Sequence, residues 1–255
     1  MLRVLRRSHE RLAGAINDIS DAQVEGPSYD TEWTVAQVAS HLGSGAEVFS
    51  LYIEEGITGR PAPGMEQIQP IWDRWNAKAP IDQVRSCVSA DAAFLDRVEA
   101  MTSDAQTAWE LDLFGTRRSL AALLVMRLAE HALHTWDIVV ASDSRATVQA
   151  DAAGLIADNL AVLVQQVGRS QTGPVDVRVT TTDPDRQLLL TIRDDAADLR
   201  AAPDSDASGN ANNIRLPTEA FVRLVYGRLD AEHTPATVSG DDGVLPLLRA
   251  AFPGV

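Results

Sequence analysis

The chain has 255 residues, 45 % of them apolar and 23 % charged, and carries a formal net charge of −14. That length suits two modest domains or one large one, and so acidic a surface argues against nucleic acid or anionic lipid as partners. A single cysteine, Cys87, excludes an intrachain disulfide and a Cys-rich zinc site; the opening MLRVLRRSHERLAGA lacks a signal-like apolar core, and no run of roughly 18 apolar residues offers a membrane span, so a cytoplasmic protein is expected.

In chain order, residues 2–19 place Leu2, Leu5, Leu12, Ile16 and Ile19 at helical spacing. A turn-rich link, EGPSYDTEW, leads to Thr34 with Gln37 three positions on, a capping-box pattern that opens a helix over 35–55. GITGRPAPG reads as a loop by its Gly and Pro content. MEQIQPIWDRWNAKA suits a third helix, with Pro70 a kink or an interruption. Amphipathic helices are predicted over 81–102 and 119–141, the second mostly apolar, and another over 151–168.

Composition then changes. VDVRVTTTD and RQLLLTIRDD are rich in Val, Thr and Ile and are joined by the turn-former DPD, so two strands are expected. APDSDASGNANN is a small, polar loop. LPTEAFVRLVYGRL reads as a helix with Pro217 near its start, ATVSG as a short strand, and VLPLLRAAF as a last helix. The layout is α+β in two domains: a helical bundle over 1–170 and a small α+β domain over 171–255, with the boundary near RSQTGP.

The chemistry concentrates in RLAEHALHTWDIVVA, residues 127–141. An apolar helix gains nothing from a carboxylate and two imidazoles unless each finds a partner. Glu130 and His134 are four apart and project from one helical face. His41, two turns into the helix that Thr34 opens, can face them across an antiparallel bundle. Two imidazoles and one carboxylate form a His₂Glu set that leaves an open position on a zinc ion. Two other readings stand beside it. Arg127, Glu130, His131, His134 and Asp137 share about a third of the helical circumference and suit a solvated stripe, and His131 with His134 is a competing ligand pair. Trp33 and Trp136 suit the core, Cys87 suits a packing role, and His9 and His233 suit exposed positions. No GxSxG, GxxxxGK[ST] or strand-borne GxGxxG is present.

TEWTVAQVASHL and RLAEHALHTWDI resemble the two signature segments of the mycothiol-dependent maleylpyruvate isomerase family, within the wider DinB-like group of metal-binding four-helix bundles. The matching positions are Trp33, Thr34, His41, Glu130, His134, Trp136 and Asp137. The resemblance extends through LPTEAFVRLVYGRL and VSGDDGVLPLLRAAFPG to a C-terminal domain of sterol-carrier-like kind. It implies a metal, zinc or another divalent ion, on His41, Glu130 and His134, with mycothiol as the thiol cosubstrate. It also implies a functional arginine in the C-terminal domain, for which Arg228 is the candidate; a surface arginine at a helix end is the plainer reading of that residue.

A thiol held as metal-bound thiolate is a strong nucleophile at neutral pH. In an isomerase of this kind it adds to a cis double bond, the bond rotates, and the thiolate leaves. In an S-transferase it attacks a small electrophile and stays. Asp137 can orient a ligand imidazole through its second nitrogen. The alternative is a catalytically inactive small-molecule-binding module of the same fold.

Overall fold

The computed structural model describes residues 1–17, 19–30, 32–169, 173–194, 196–202 and 211–254. The chain divides into two compact units, Met1–Ala146 and Thr147–Val255, and is α+β overall. No described helix is long and apolar enough to cross a membrane.

The first unit runs α1 (Leu2–Asn17), α2 (Asp21–Val24), α3 (Val35–Thr58), α4 (Met65–Asn76), α5 (Pro80–Glu99), α6 (Ser103–Ala108), β1 (Glu110–Leu113), β2 (Thr116–Ser119) and α7 (Leu120–Val140). Helices α3 and α1 each pack on both α5 and α7, which closes a four-helix bundle. Its core is built from Leu5, Leu12, Val38, Leu42, Ile53, Phe94, Leu95, Leu128 and Trp136, all at 2 % exposure or less.

Local signals set the helix that carries His41. The Thr34 hydroxyl accepts from the Gln37 N–H at 3.2 Å, and the Gln37 side-chain oxygen accepts from the Thr34 N–H at 2.8 Å, a reciprocal capping box. The helix runs on to Thr58 and stops at Gly59, which takes φ 68°. It therefore overruns the loop expected from GITGRPAPG. Gly56 lies inside the helix because a Cβ there would fall 2.2 Å from the Trp109 indole nitrogen, which donates to the Ile53 carbonyl at 3.0 Å. Here glycine marks a close approach and no turn. Helix α4 likewise runs through Pro70.

Strands β1 and β2 form a hairpin absent from the sequence reading, with Leu113 opposite Thr116 and a two-residue turn at Phe114–Gly115, both at positive φ.

The second unit contains α8 (Ala150–Ala157), α9 (Leu160–Val167), β3 (Val175–Thr182), β4 (Arg186–Ile192), β5 (Ala197–Ala201), β6 (Asn212–Pro217), α10 (Thr218–Val225), β7 (Ser239–Gly240) and α11 (Val244–Ala251). The described strands form a sheet in the order β5-β4-β3-β6-β7, antiparallel except for the parallel β3–β6 pair. Val177, Val179 and Thr181 alternate inward along β3.

The division at Ala146–Thr147 falls earlier than the 170/171 boundary read from composition. Helices α8 and α9 pack on α10 and β5, inside the second unit, although their composition matches the bundle. The expected single helix over 151–168 is these two, broken at Asp158–Asn159, residues that form helices poorly; Asp158 instead receives Arg186 at 2.7 Å. The polar loop expected over 202–213, and the core of the RSQTGP boundary, lie largely outside the described residues.

Candidate metal centre

His41 sits on α3; Glu130 and His134 sit one turn apart on α7. The structure brings the three together. One ligand atom from each lies within 4.8 Å of the other two. The His41 Nε2 is 3.0 Å from Glu130 Oε2, and the His134 Nε2 is 3.6 Å from the same oxygen. Ligand atoms about 2.1 Å from a tetrahedral zinc ion stand roughly 3.4 Å apart, a spacing that the 3.0 and 3.6 Å separations bracket. The side chains are 38 %, 42 % and 16 % exposed for His41, Glu130 and His134 respectively, which leaves one side of the centre open.

Electrostatics agree with the geometry. Partial burial works against ionisation of Glu130, but hydrogen bonding from His134 and His41 outweighs it and holds the carboxyl far below its usual range. Burial also opposes charge on His134, and Asp137 and Glu130 together raise its pKa despite that. The His134 Nδ1–H donates to Asp137 Oδ2 at 2.8 Å, with Asp137 fully buried. That bond turns Nε2 toward His41 and Glu130, the arrangement by which a carboxylate orients a ligand imidazole.

Trp33, which the sequence suggests for the core, lies beside the two donor imidazoles. It is 37 % exposed, and its indole stacks near-parallel on the His134 ring at 6.4 Å between centroids, with the His41 ring at 5.5 Å. Its backbone is held by Ser28, whose N–H and hydroxyl both donate to the Trp33 carbonyl at 2.9 Å. Trp136 does belong to the core, at 2 % exposure, with its indole N–H on the Ala146 carbonyl.

The polar stripe on α7 is not a solvated face. Arg127, His131 and Asp137 are 1 % exposed or less. His131 is no competing ligand either: its Nδ1 accepts from Ser8 Oγ at 2.8 Å, and its Nε2 stands 3.0 Å from Asp91 Oδ2. Burial lowers the His131 pKa, against the opposing pull of the Asp91 carboxylate. His9, expected at the surface, donates from Nδ1 to Asp91 Oδ2 at 2.8 Å and has a largely buried side chain. Burial opposes charge on Asp91; its imidazole neighbours and the Arg127 guanidinium prevail and hold the carboxyl well below its ordinary range. His233 is part-buried against Asp230 at 2.9 Å.

Cys87 is fully buried, and burial, aided by the Asp91 charge, pushes its thiol pKa up to about 12. It is no nucleophile at neutral pH. Arg228 lies in the second unit just beyond α10, and its Nη1 donates to the Tyr226 carbonyl at 3.0 Å. Buried Arg223, paired with Glu219 at 2.8 Å, also donates to the carbonyls of Arg228 and His233, tying down the segment that holds Arg228.

Solved structures similar to this chain include the crystal structure of the mycothiol-dependent maleylpyruvate isomerase and that of one of its histidine-to-alanine mutants. Each has a TM-score of 0.67 and 18 % identity, and covers 96 % of this chain and 93 % of the other. No curated protein matches the sequence. Residues 150–247 match the model of the C-terminal domain of the same family. Because residues 5–139, more than half of the chain, match the model of the mycothiol maleylpyruvate isomerase N-terminal domain, the chain belongs to the mycothiol maleylpyruvate isomerase family.

Proposed function

We propose that the chain is a mycothiol-dependent enzyme, an isomerase of the maleylpyruvate kind or an S-transferase, whose His41, Glu130 and His134 hold a divalent cation, zinc by the nature of the donors. The observation that carries this reading is the convergence of three donor atoms from two helices, open on one side. Bound there, such a cation supplies a lowered thiol pKa, so that a coordinating thiol is present as thiolate at neutral pH.

The chain's own residues do the rest. Asp137 accepts from the His134 Nδ1–H and so keeps Nε2 as the donor nitrogen. Trp33 covers one flank of the two imidazoles and limits water there. The buried Cys87 supplies no sulfur, which fits a thiol arriving from outside the chain. Arg228 is assigned to a carboxylate of the electrophile, as the cationic partner that a dicarboxylic keto acid needs; what supports it is the resemblance of LPTEAFVRLVYGRL. An intact three-donor set favours the enzyme over an inactive binding module.

The test is metal content and thiol chemistry on the same preparation. Zinc-loaded protein is expected to hold about one ion per chain and to act on maleylpyruvate, or on another member of an electrophile panel, only when mycothiol is present; His41→Ala loses both properties. Activity without mycothiol, or wild-type metal content in His41→Ala, overturns the reading. If maleylpyruvate stays unchanged while another electrophile captures the thiol, the isomerase half falls and the transferase half stands.

A further inference from the structure

A buried layer of charge lies one turn along the bundle from the three donors. Arg127 precedes Glu130 by three residues on α7 and is 1 % exposed. Its Nη2 donates to the Leu42 carbonyl on α3 at 3.0 Å and to Asp91 Oδ1 on α5 at 2.8 Å. Leu42 follows His41 directly. The two hydrogens of one nitrogen thus tie the ligand-bearing stretch of α7 to the ligand-bearing stretch of α3, with α5 as the anchor. Asp91 also receives His9 of α1, so all four helices of the bundle meet in this layer.

The guanidinium is closely confined. Its carbon lies 5.7 Å from the Phe49 ring centre and 5.9 Å from that of Phe94. A Cβ at Gly45 would come within 3.0 Å of Nη1, so the glycine leaves room for the arginine where α3 passes it.

We propose that the Asp91–Arg127 pair is a positioning device for the metal centre, fixing the separation of α3 and α7 at the level where His41 faces Glu130 and His134. This rests on the metal-binding reading above. Holding the bundle together does not require such a pair, because apolar side chains of similar volume commonly serve a core as well or better than a buried ion pair. Apolar packing is not directional. Two hydrogen bonds from one rigid planar group are, and they fix a distance.

The experiment compares wild type with the double substitution Asp91→Asn/Arg127→Met, which removes both charges together and leaves neither unpaired. Zinc affinity is read by competition with a chromophoric chelator, ligand geometry by the visible absorption of the Co²⁺-loaded protein, and stability by thermal unfolding of the metal-free protein. The expected result is a folded variant with an unfolding midpoint near wild type, zinc binding weakened about 10- to 100-fold, and an altered Co²⁺ spectrum. A folded variant with wild-type affinity and spectrum overturns the proposal and leaves the metal reading intact. If the wild type takes up no zinc, or His41→Ala binds as well as wild type, the metal reading fails and the proposal falls with it. Should the double variant not fold, Arg127→Lys decides: it keeps a cation opposite Asp91, but on a shorter, freely rotating ammonium without the rigid plane that fixes the two bonds in place. Severalfold weaker binding in it supports the proposal, and unchanged binding overturns it.

Discussion

Removing the Asp137 carboxylate tests how the imidazole of His134 is aimed. Asp137 is fully buried and accepts from His134 Nδ1–H at 2.8 Å, while the side chain of His134 remains 16 % exposed. A hydrogen bond to a charged group contributes about 1.5–3 kcal/mol net. At about 1.4 kcal/mol per tenfold, Asp137→Ala is expected to weaken zinc binding by about 10- to 100-fold, the range typical of lost partners behind a ligand. Asp137→Asn keeps the volume and an oxygen that can accept the same N–H, losing only the charge, so its loss should be the smaller, about tenfold or less. Both are measured by chelator competition at fixed pH and salt. Urea unfolding of the metal-free proteins is run in parallel, so that a loosened bundle is not mistaken for a misaimed ligand. A folded Asp137→Ala protein that binds zinc as tightly as wild type would refute the reasoning, because the ring would then be held by something other than this bond.

Cys87 should stay unreactive toward a thiol-exchange chromophore in the native protein and release one equivalent per chain on denaturation, since it is fully buried with its pKa pushed up to about 12. Asp91 has a folded-state pKa below its unfolded value, so its contribution to stability is present above about pH 4 and is lost as pH falls through the folded value. In Asp91→Asn, urea unfolding should show lower stability at neutral pH, by about 3–5 kcal/mol because Arg127 is left unpaired, and a shallower decline below about pH 4. Gly43→Ala should destabilise by about 1–3 kcal/mol in the same assay, because the added Cβ would fall 2.1 Å from the Trp75 ring where α4 meets α3. A neutral result there would mean that α4 shifts at no cost.

What the sequence disclosed follows the range of the interactions involved. The start of α3 was legible because Thr34 and Gln37 satisfy one another three residues apart. The Glu130–His134 pairing was legible because i and i+4 share a helical face. The hairpin over 110–119 escaped because its strands are four residues each and its Phe114–Gly115 turn departs from the common Asn-Gly signal. Strand β7, read as ATVSG, shrinks to Ser239–Gly240, since among the described residues only Arg215 and Ile214 pair with it. Trp33 was misread because an isolated tryptophan ahead of a cap gives no sign of which side of the helix its ring will take. Asp91 was invisible as a partner of Arg127: they are 36 residues apart on separate helices, and no spacing rule joins them.

Helix α7 shows why one polar stripe can be read in two ways and still be neither. Arg127 and His131 are four residues apart, as are Glu130 and His134, so each pair lines up within about 40°, and the two pairs are offset by about 60°. The wheel therefore shows one broad stripe of the width that a solvated face would have. The bundle splits it. The Arg127–His131 row turns inward, onto Asp91 of α5 and Ser8 of α1; the Glu130–His134 row turns toward α3, where His41 meets it. Asp137, further along that second row and fully buried, closes it from behind. A helix facing water needs no such partners for its polar groups, and one merely filling a core would gain nothing by carrying them. The inward row spends burial on charge so that the other row, one turn away, can present its donors at a fixed distance from α3. If that coupling holds, substitutions in the inward row should change metal affinity while the donors themselves stay untouched, whereas changes at fully exposed sites elsewhere on the bundle should not.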